Sequence, residues 1–221
     1  MYQVTVGICC YKQKKWLHRC LRSLCSQTFD KNKFEVVIVN DDPSDCLDDI
    51  VHNHKNHLNI RVLNNTQNVG LPSSLNKILN VALGRYFVRV DCDDYVSKDF
   101  LYMLHTFLSQ NSGTMMGENY QAVACDYFKV DNVGRVLSRH SWEEDFIACG
   151  VMFTYESLAG IDFYNEDFKM REGHELMKRF NKEYDVHSLK VPLYKYRIHN
   201  SNRTNEKTKT KIYDNKLGEN K

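Results

Sequence analysis

The sequence predicts an α/β fold, a central mostly parallel sheet flanked by helices, with a mixed α+β second half. Three observations predict it. The first half repeats a short β-branched run, a turn and an amphipathic segment, the rhythm of parallel strands joined by crossover helices. The length, 221 residues, fits one such domain and leaves little room for a second core. With 42% hydrophobic and 26% charged residues and a mean hydropathy of -0.54, the composition is that of a globular chain.

Val4 to Cys9 reads as the first strand. Trp16, Leu17, Cys20, Leu21 and Leu24 recur at helical spacing over Gln13 to Ser26, and Phe34 to Val39 is a near-continuous apolar run suited to a strand buried on both faces. Leu47, Ile50 and Val51 mark a short second helix, and Ile60 to Leu63 a third strand. Leu71, Leu75, Ile78, Leu79 and Ala82 mark a third helix ended by Gly84, followed by a strand over Tyr86 to Val90. Ser97 is placed to cap a helix carrying Phe100, Leu101, Leu104, Phe107 and Leu108. Beyond it the pattern changes: Val123 to Val130 and Val136 to Arg139 read as a hairpin around Asp131 to Gly134, Val151 to Thr154 as a strand and Glu172 to Asn181 as a helix. From about Asn202 the chain turns polar and lysine-rich. This predicts one domain over 1–204, with halves 1–96 and 97–204, and a loosely ordered tail over 205–221.

Thirty Lys+Arg against 28 Asp+Glu leave a net charge of +2, so no bulk field points to nucleic acid, and an anion site must be local. Five lysines between Lys207 and Lys221, interspersed with acids, offer only a weak peripheral contact with an anionic membrane. No apolar run reaches the roughly 18 residues of a membrane span, and the first residues put the apolar run before the basic ones, the reverse of a secretory signal. A cytoplasmic chain is expected. The eight cysteines include no C-x-x-C pair and read as reduced thiols ahead of a zinc site.

Ligands of open parallel sheets bind outside the carboxyl ends of the strands. Those ends carry Cys10-Tyr11-Lys12, Asn40-Asp41-Asp42-Pro43-Ser44 and Asp91-Cys92-Asp93-Asp94. Like carboxylates about 4 Å apart repel by roughly 4 kcal/mol at an effective dielectric of about 20, which a divalent cation with oxygen preference, Mg²⁺ or Mn²⁺, offsets. Two alternatives stay open: Asp93 or Asp94 shapes the turn before Ser97, and Asp41-Asp42-Pro43-Ser44 is turn chemistry with Ser44 capping the next helix. Asn68 to Ser74 opens a helix with a glycine and small polar residues, where free N–H groups meet anions.

Taken in order, these segments resemble family 2 of the inverting glycosyltransferases, nucleotide-diphospho-sugar transferases of the GT-A fold (Rossmann-like, of the spore coat polysaccharide synthesis type). VTVGICCYKQKKWLHRCLRSLCSQTF is similar to the family's opening strand, P-T-Y-N turn and helix ending in S-x-x-x-Q-T; FEVVIVNDDPSD to its F-E-x-I-V-V-D-D-G-S-x-D; and NVGLPSSLNKILNVALGRYFVRVDCDD to N-x-G-x-x-x-x-x-N, an A-x-G-x-Y strand and the DXD signature. The resemblance implies a metal-dependent transferase using a nucleotide-diphospho-sugar donor, a UDP-sugar by default, and a glycan, polysaccharide or lipid-linked acceptor. It implies Tyr11 beside the nucleoside, Asp42 or Asp41 accepting the base N–H, and Asn68, Gly70 and Asn76 in the nucleotide-binding segment. Asp91 would serve ribose and metal, and Asp93 would be the principal ligand of Mn²⁺ or Mg²⁺.

In the same pattern a carboxylate opening a late helix, often E-D, deprotonates the acceptor. Here the segment is Arg171-Glu172-Gly173-His174-Glu175, with glycine at the aspartate position, so Glu172 is the first choice of base. Glu175, placed i,i+4 to Arg179 for a helix ion pair, and His174 follow. LYKYRIHNSNRT resembles the closing Y-R-x-H segment, implying His199 as third metal ligand or phosphate donor and Arg197 as a partner of phosphate or of a core carboxylate. The sequence departs from the pattern at Cys9-Cys10, Lys12, Pro43 and Leu75, where many members have arginine; Arg89 is a candidate to compensate. Trp142, Phe146, Phe153, Tyr155 and Tyr164 are candidates to stack on acceptor sugars or to fill the core. Two other classes stay open: a sugar nucleotidyltransferase, whose glycine-rich phosphate loop CCYKQKKW lacks, and a nucleotide-binding module without turnover, motivated by Gly173.

Overall fold

A computed structural model describes residues 1–111, 113–115 and 118–218, with side chains described outside 112–119 and 204. β-Branched and apolar residues form β1 (Val4–Cys10), β2 (Phe34–Asn40), β3 (Ile60–Asn64) and β4 (Tyr86–Arg89), joined by α1 (Lys14–Cys25), α2 (Asp48–His52) and α3 (Leu71–Leu79). All of these strands pair in parallel, β1 lying between β2 and β4, with Gly7 opposite both Val37 and Arg89. Residue types suited to both faces explain the long run in β2, which is buried from end to end.

The second half adds β5 (Tyr95–Val96), α4 (Phe100–Asn111), β6 (Gly113–Met115), β7 (Glu118–Val130), β8 (Val136–His140), β9 (Met152–Thr154), α5 (Tyr155–Gly160), α6 (Glu172–Phe180), β10 (Asp185–Arg197) and α7 (Lys207–Lys216). Among the described residues one ten-stranded sheet runs β3-β2-β1-β4-β9-β7-β10-β5, with β6 and β8 on β7. β9 enters antiparallel to β4 and β7, while β7 and β10 run parallel. The sheet is therefore parallel in its first half and mixed in its second. One layer of core packs Leu17, Leu21 and Leu24 of α1 and Phe100 and Leu104 of α4 on Val4, Val6 and Ile8. The opposite layer packs Leu75 and Ile78 of α3, Leu158 of α5 and Leu176 and Phe180 of α6 on Val37, Val39 and Phe87. Alternation along each strand sends successive side chains to opposite layers.

Several local expectations are corrected. α3 stops at Leu79, and Gly84 is required for another reason: a Cβ there would lie 2.4 Å from the Thr5 amide nitrogen of β1. Ser97 receives the Phe100 N–H on its carbonyl, while its hydroxyl accepts from Lys195. Ser44 does not cap α2, whose N-cap is Leu47; its hydroxyl donates to Asp42. The hairpin forms as expected, its turn built on Asp131 Oδ1, which accepts the N–H groups of Val133, Gly134 and Arg135. β5, α5 and β10 have no counterpart in the sequence reading. Where composition predicts a loose tail, α7 docks on α6: Arg171 forms a two-bonded ion pair with Asp214, and Lys178 donates to the Leu217 carbonyl at 2.6 Å. Residues 219–221 of that tail lie outside the described residues.

Candidate active site

The carboxyl ends of β1, β2 and β4 open on a cleft of about 660 Å³ lined by Tyr11, Asp41, Gly70, Arg89, Asp91 and Asp93 on one side. Phe146 to Cys149, Glu172 to His174 and the segment carrying Arg203 and Lys209 form the other. A shallower depression of about 360 Å³ shares Phe146 and His174 with it.

The acidic turn after β4 divides its carboxylates among three environments. Asp91 receives Arg89 on both oxygens, at 2.5 and 3.0 Å, and Arg89 reaches on to Glu172 Oε1 at 3.0 Å. Asp93 Oδ2 lies 2.8 Å from His199 Nε2, whose other nitrogen meets the Ser201 hydroxyl at 2.9 Å, and the imidazole stacks on Trp16. Burial, then the charge of Asp91, raise the Asp93 carboxyl above its ordinary value. Asp94 turns inward, accepting from the Tyr194 hydroxyl at 2.9 Å and the Arg197 amide at 2.7 Å, and burial pushes its carboxyl up strongly.

Asp41 is buried, and its two oxygens accept four hydrogen bonds, from Asn65 Nδ2, Asn68 Nδ2 and the amides of Val69 and Gly70. It organises the loop before α3. Gly70, with φ +91, supplies the left-handed turn that brings its N–H to that carboxylate. Asp42 accepts from the Ser44 amide and hydroxyl on Oδ1, which lowers its carboxyl below the usual range. Asn76 is turned away from the cleft, clamping Tyr164 through its backbone N–H and carbonyl. Tyr11 stands exposed at the rim with the Lys12 ammonium over its ring.

At the start of α6, Glu172 is buried in the cleft wall, its Oε2 3.9 Å from Arg203. A Cβ on Gly173 would lie 2.1 Å from the Ala148 Cβ, so close packing of the helix on that segment excludes a side chain there. Glu175 is held by Arg179 through both oxygens, the helix ion pair expected from the spacing. His174 lies against the Phe146 ring and 3.2 Å from Arg171 Nη1.

Arg197 is fully buried and lies outside the cleft. Its guanidinium donates to the carbonyls of Asp93 and Asn132 at 2.7 Å and lies over the Trp16 ring, bracing the acidic turn, while its buried Nη2 has no hydrogen-bond partner among the described residues. Phe153 and Tyr164 are core residues, and Tyr155 donates to the Leu79 carbonyl. Of the aromatic candidates, Phe146 lines the cleft. Sequence reading named Arg89 only as a substitute for the arginine absent at Leu75 and missed its bridge to Glu172, together with the contribution of Arg203 and Lys209.

Two donor sets in this region bear on a divalent cation. Asp91, Asp94 and Cys149 place ligand atoms within 4.8 Å of one another, but Asp94 is committed to Tyr194 and Arg197, and burial keeps the Cys149 thiol well above its ordinary value. Asp93 and His199 present a carboxylate and an imidazole on adjoining atoms, next to a second carboxylate whose charge raises Asp93. This set offers a divalent cation one carboxylate and one imidazole, with Asp91 held on both oxygens by Arg89.

The chain is similar to known proteins in sequence and in fold. The chain is 30% identical over 137 residues to a poly(ribitol-phosphate) beta-glucosyltransferase of Bacillus spizizenii, covering 59% of this chain and 22% of that one. It is 33% identical over 135 residues to the poly(ribitol-phosphate) beta-N-acetylglucosaminyltransferase TarS of Staphylococcus aureus, covering 58% and 24%. The chain thus spans about a quarter of the length of these curated relatives. Residues 1–349 of TarS in complex with UDP-GlcNAc superpose with a TM-score of 0.76 at 22% identity, over 92% of this chain and 61% of that one. The mannosyltransferase PcManGT of Pyrobaculum calidifontis, in complex with GDP-Man and Mn²⁺, gives 0.71 at 16% identity, over 100% and 66%. The profile described as Glycosyl transferase family 2 matches residues 5–218, and with the GT-A fold in place around the acidic turn, the chain belongs to that family.

Proposed function

We propose that the protein transfers a sugar from a nucleoside-diphosphate sugar, with uridine as the nucleoside, to an acceptor hydroxyl with inversion at the anomeric carbon. The observation that carries this reading is the meeting of Asp93, which lines the cleft together with Glu172, with the buried His199, 106 residues later in the chain. Asp93 and His199 would hold Mn²⁺ or Mg²⁺, which supplies neutralising charge at the departing diphosphate. Tyr11 flanks the base, Asp42 accepts its N–H, and Asp91, fixed by Arg89, faces the ribose. Glu172 accepts the acceptor hydroxyl proton on Oε2, the oxygen that Arg89 leaves free, as the hydroxyl oxygen attacks the face opposite the diphosphate. Glu175, with both oxygens on Arg179, and His174, beside Arg171, are less well placed as bases. A glycan, lipid-linked or polyanionic acceptor fits the exposed Lys12 and Lys169 and the partly exposed Arg203 on the cleft wall; the poly(ribitol-phosphate) in the relatives' names is a polyanion of this kind.

Calorimetric titration of UDP, GDP, CDP and dTDP, each with Mn²⁺ and with EDTA, tests the donor site. Mn²⁺-dependent micromolar binding of UDP is the expected result, lost in Asp93→Ala with the fold retained by circular dichroism. Absence of binding by any nucleotide to folded protein overturns the reading. The Arg89–Glu172 pairing is equally what a nucleotide-binding module without turnover would carry; hydrolysis or transfer from a bound UDP-sugar separates the two.

A further inference from the structure

We propose that Cys10 and Cys92 are a peroxide-reactive pair whose oxidation to a disulfide draws on the acidic turn and weakens the donor site. The consequence for donor binding rests on the function proposed above; the pairing itself does not.

The two sulfurs lie 3.3 Å apart, although the residues are 82 positions apart in sequence. Topology brings them together. β1 and β4 are parallel neighbours whose pairing ends at Gly7 and Arg89, and Cys10 at the end of β1 meets Cys92 in the turn that follows β4. Forming a bond of about 2.05 Å therefore requires the sulfurs to approach by roughly 1 Å. Both cysteines point into the same core layer, whereas Cys9, the next residue along β1, packs against the opposite one. Both side chains are buried, yet Cys92 is part of the cleft wall, within reach of a reagent scarcely larger than water. These thiols replace the threonine of the family's opening turn and occupy the free middle position of its acidic motif.

Oxidation balances with hydrogen peroxide as oxidant. The Cys92 sulfur, on the cleft wall, attacks one peroxide oxygen, the O–O bond breaks, and hydroxide leaves and takes up the thiol proton as water. The Cys10 sulfur then attacks the resulting sulfenic sulfur, the S–O bond breaks and the oxygen leaves with the Cys10 proton as a second water. In total two thiols lose two electrons and two protons to one peroxide. The contact with Cys92 lowers the Cys10 thiol below its ordinary value, which favours Cys10 as the resolving nucleophile. Because Cys92 sits between Asp91 and Asp93, movement of its sulfur toward β1 shifts both carboxylates against Arg89 and His199. A thiol reductant reverses the change.

The test treats the whole chain with hydrogen peroxide, alkylates free thiols, and maps disulfides by mass spectrometry before and after dithiothreitol. A Cys10–Cys92 cross-link is expected, abolished by reductant, present in Cys9→Ser and absent in Cys10→Ser and Cys92→Ser. Calorimetry with UDP and Mn²⁺ on the same samples is expected to show affinity at least tenfold weaker after peroxide in the wild type, restored by reductant. In each of the Cys10 and Cys92 variants the ratio before and after peroxide stays at one. Cross-links to Cys9, Cys20 or Cys149 instead, sulfinic acid on a single cysteine, or no oxidation overturns the pairing. A Cys10–Cys92 cross-link with unchanged UDP affinity overturns the coupling to the turn. Reduced wild type that binds no nucleotide overturns the donor-site reading, while the mapping still decides the pair.

Discussion

Position 173 bears directly on which carboxylate can serve as the base proposed above. With 2.1 Å between a built Cβ and Ala148, helix α6 lies too near its neighbour to carry any side chain there, and the first carboxylate available is Glu172. Gly173→Ala is therefore expected to cost about 1 to 3 kcal/mol by overpacking, read as a lower urea midpoint, and Ala148→Gly in the same chain is expected to restore most of it. If Glu172 is the base, Glu172→Gln keeps UDP affinity within a few-fold and lowers transfer by roughly 10² to 10⁴, since the amide cannot accept the proton. Full activity of that variant in a transfer assay would move the base elsewhere.

Strand ends and the loops they launch carry the site, and their internal bonds decide which polar residues remain available to a ligand. Asp41 illustrates this. Its type and position suit a nucleotide contact, but the structure engages it with four donors from the loop before α3. Asp41→Ala leaves those donors without their acceptor and is expected to cost about 2 to 4 kcal/mol, with faster hydrogen exchange at Val69 and Gly70 as the local readout. Arg197 and Asn76 repeat the lesson, for each is chemically suited to a ligand and is engaged by the chain's own backbone. β10 was hidden for a related reason: Pro192 interrupts its pairing and breaks the register with β7, so the local sequence does not read as a central strand. α7 was hidden because its lysine-rich surface is exposed, and its hold on α6 comes from Asp214 and the Leu217 carbonyl, which no periodicity reveals.

For the molecule as a whole, a buried and a half-buried histidine set a pH dependence. Burial first, then neighbouring cations, lower the imidazole of His54, which faces His18, His57 and Arg22, and that of His105, near Lys33 and Arg85. The unfolded chain then binds more protons than the fold, so this contribution to stability is full above about pH 6.5 and is lost as pH falls below it. Thermal melts from about pH 7.5 down to about 5 are expected to show a smaller decline in His54→Gln than in the wild type. The comparison isolates His54 from the buried Asp93 and Asp94, whose raised carboxyls act in the opposite sense. Equal declines would remove His54 from the account.

By itself the sequence determined the parallel first half, because β-branched runs and helical spacing are local properties, and it located the acidic turn, because strand ends are where an open sheet places its ligands. Family membership was legible for the same reason, through ordered motifs at fixed spacing. Only the tertiary structure decided which charges meet: Arg89 between Asp91 and Glu172, His199 on Asp93, and Cys10 against Cys92. Apart from Arg89 with its near neighbour Asp91, each of these contacts joins residues far apart in the chain, and their proximity follows from strand order rather than from any local pattern.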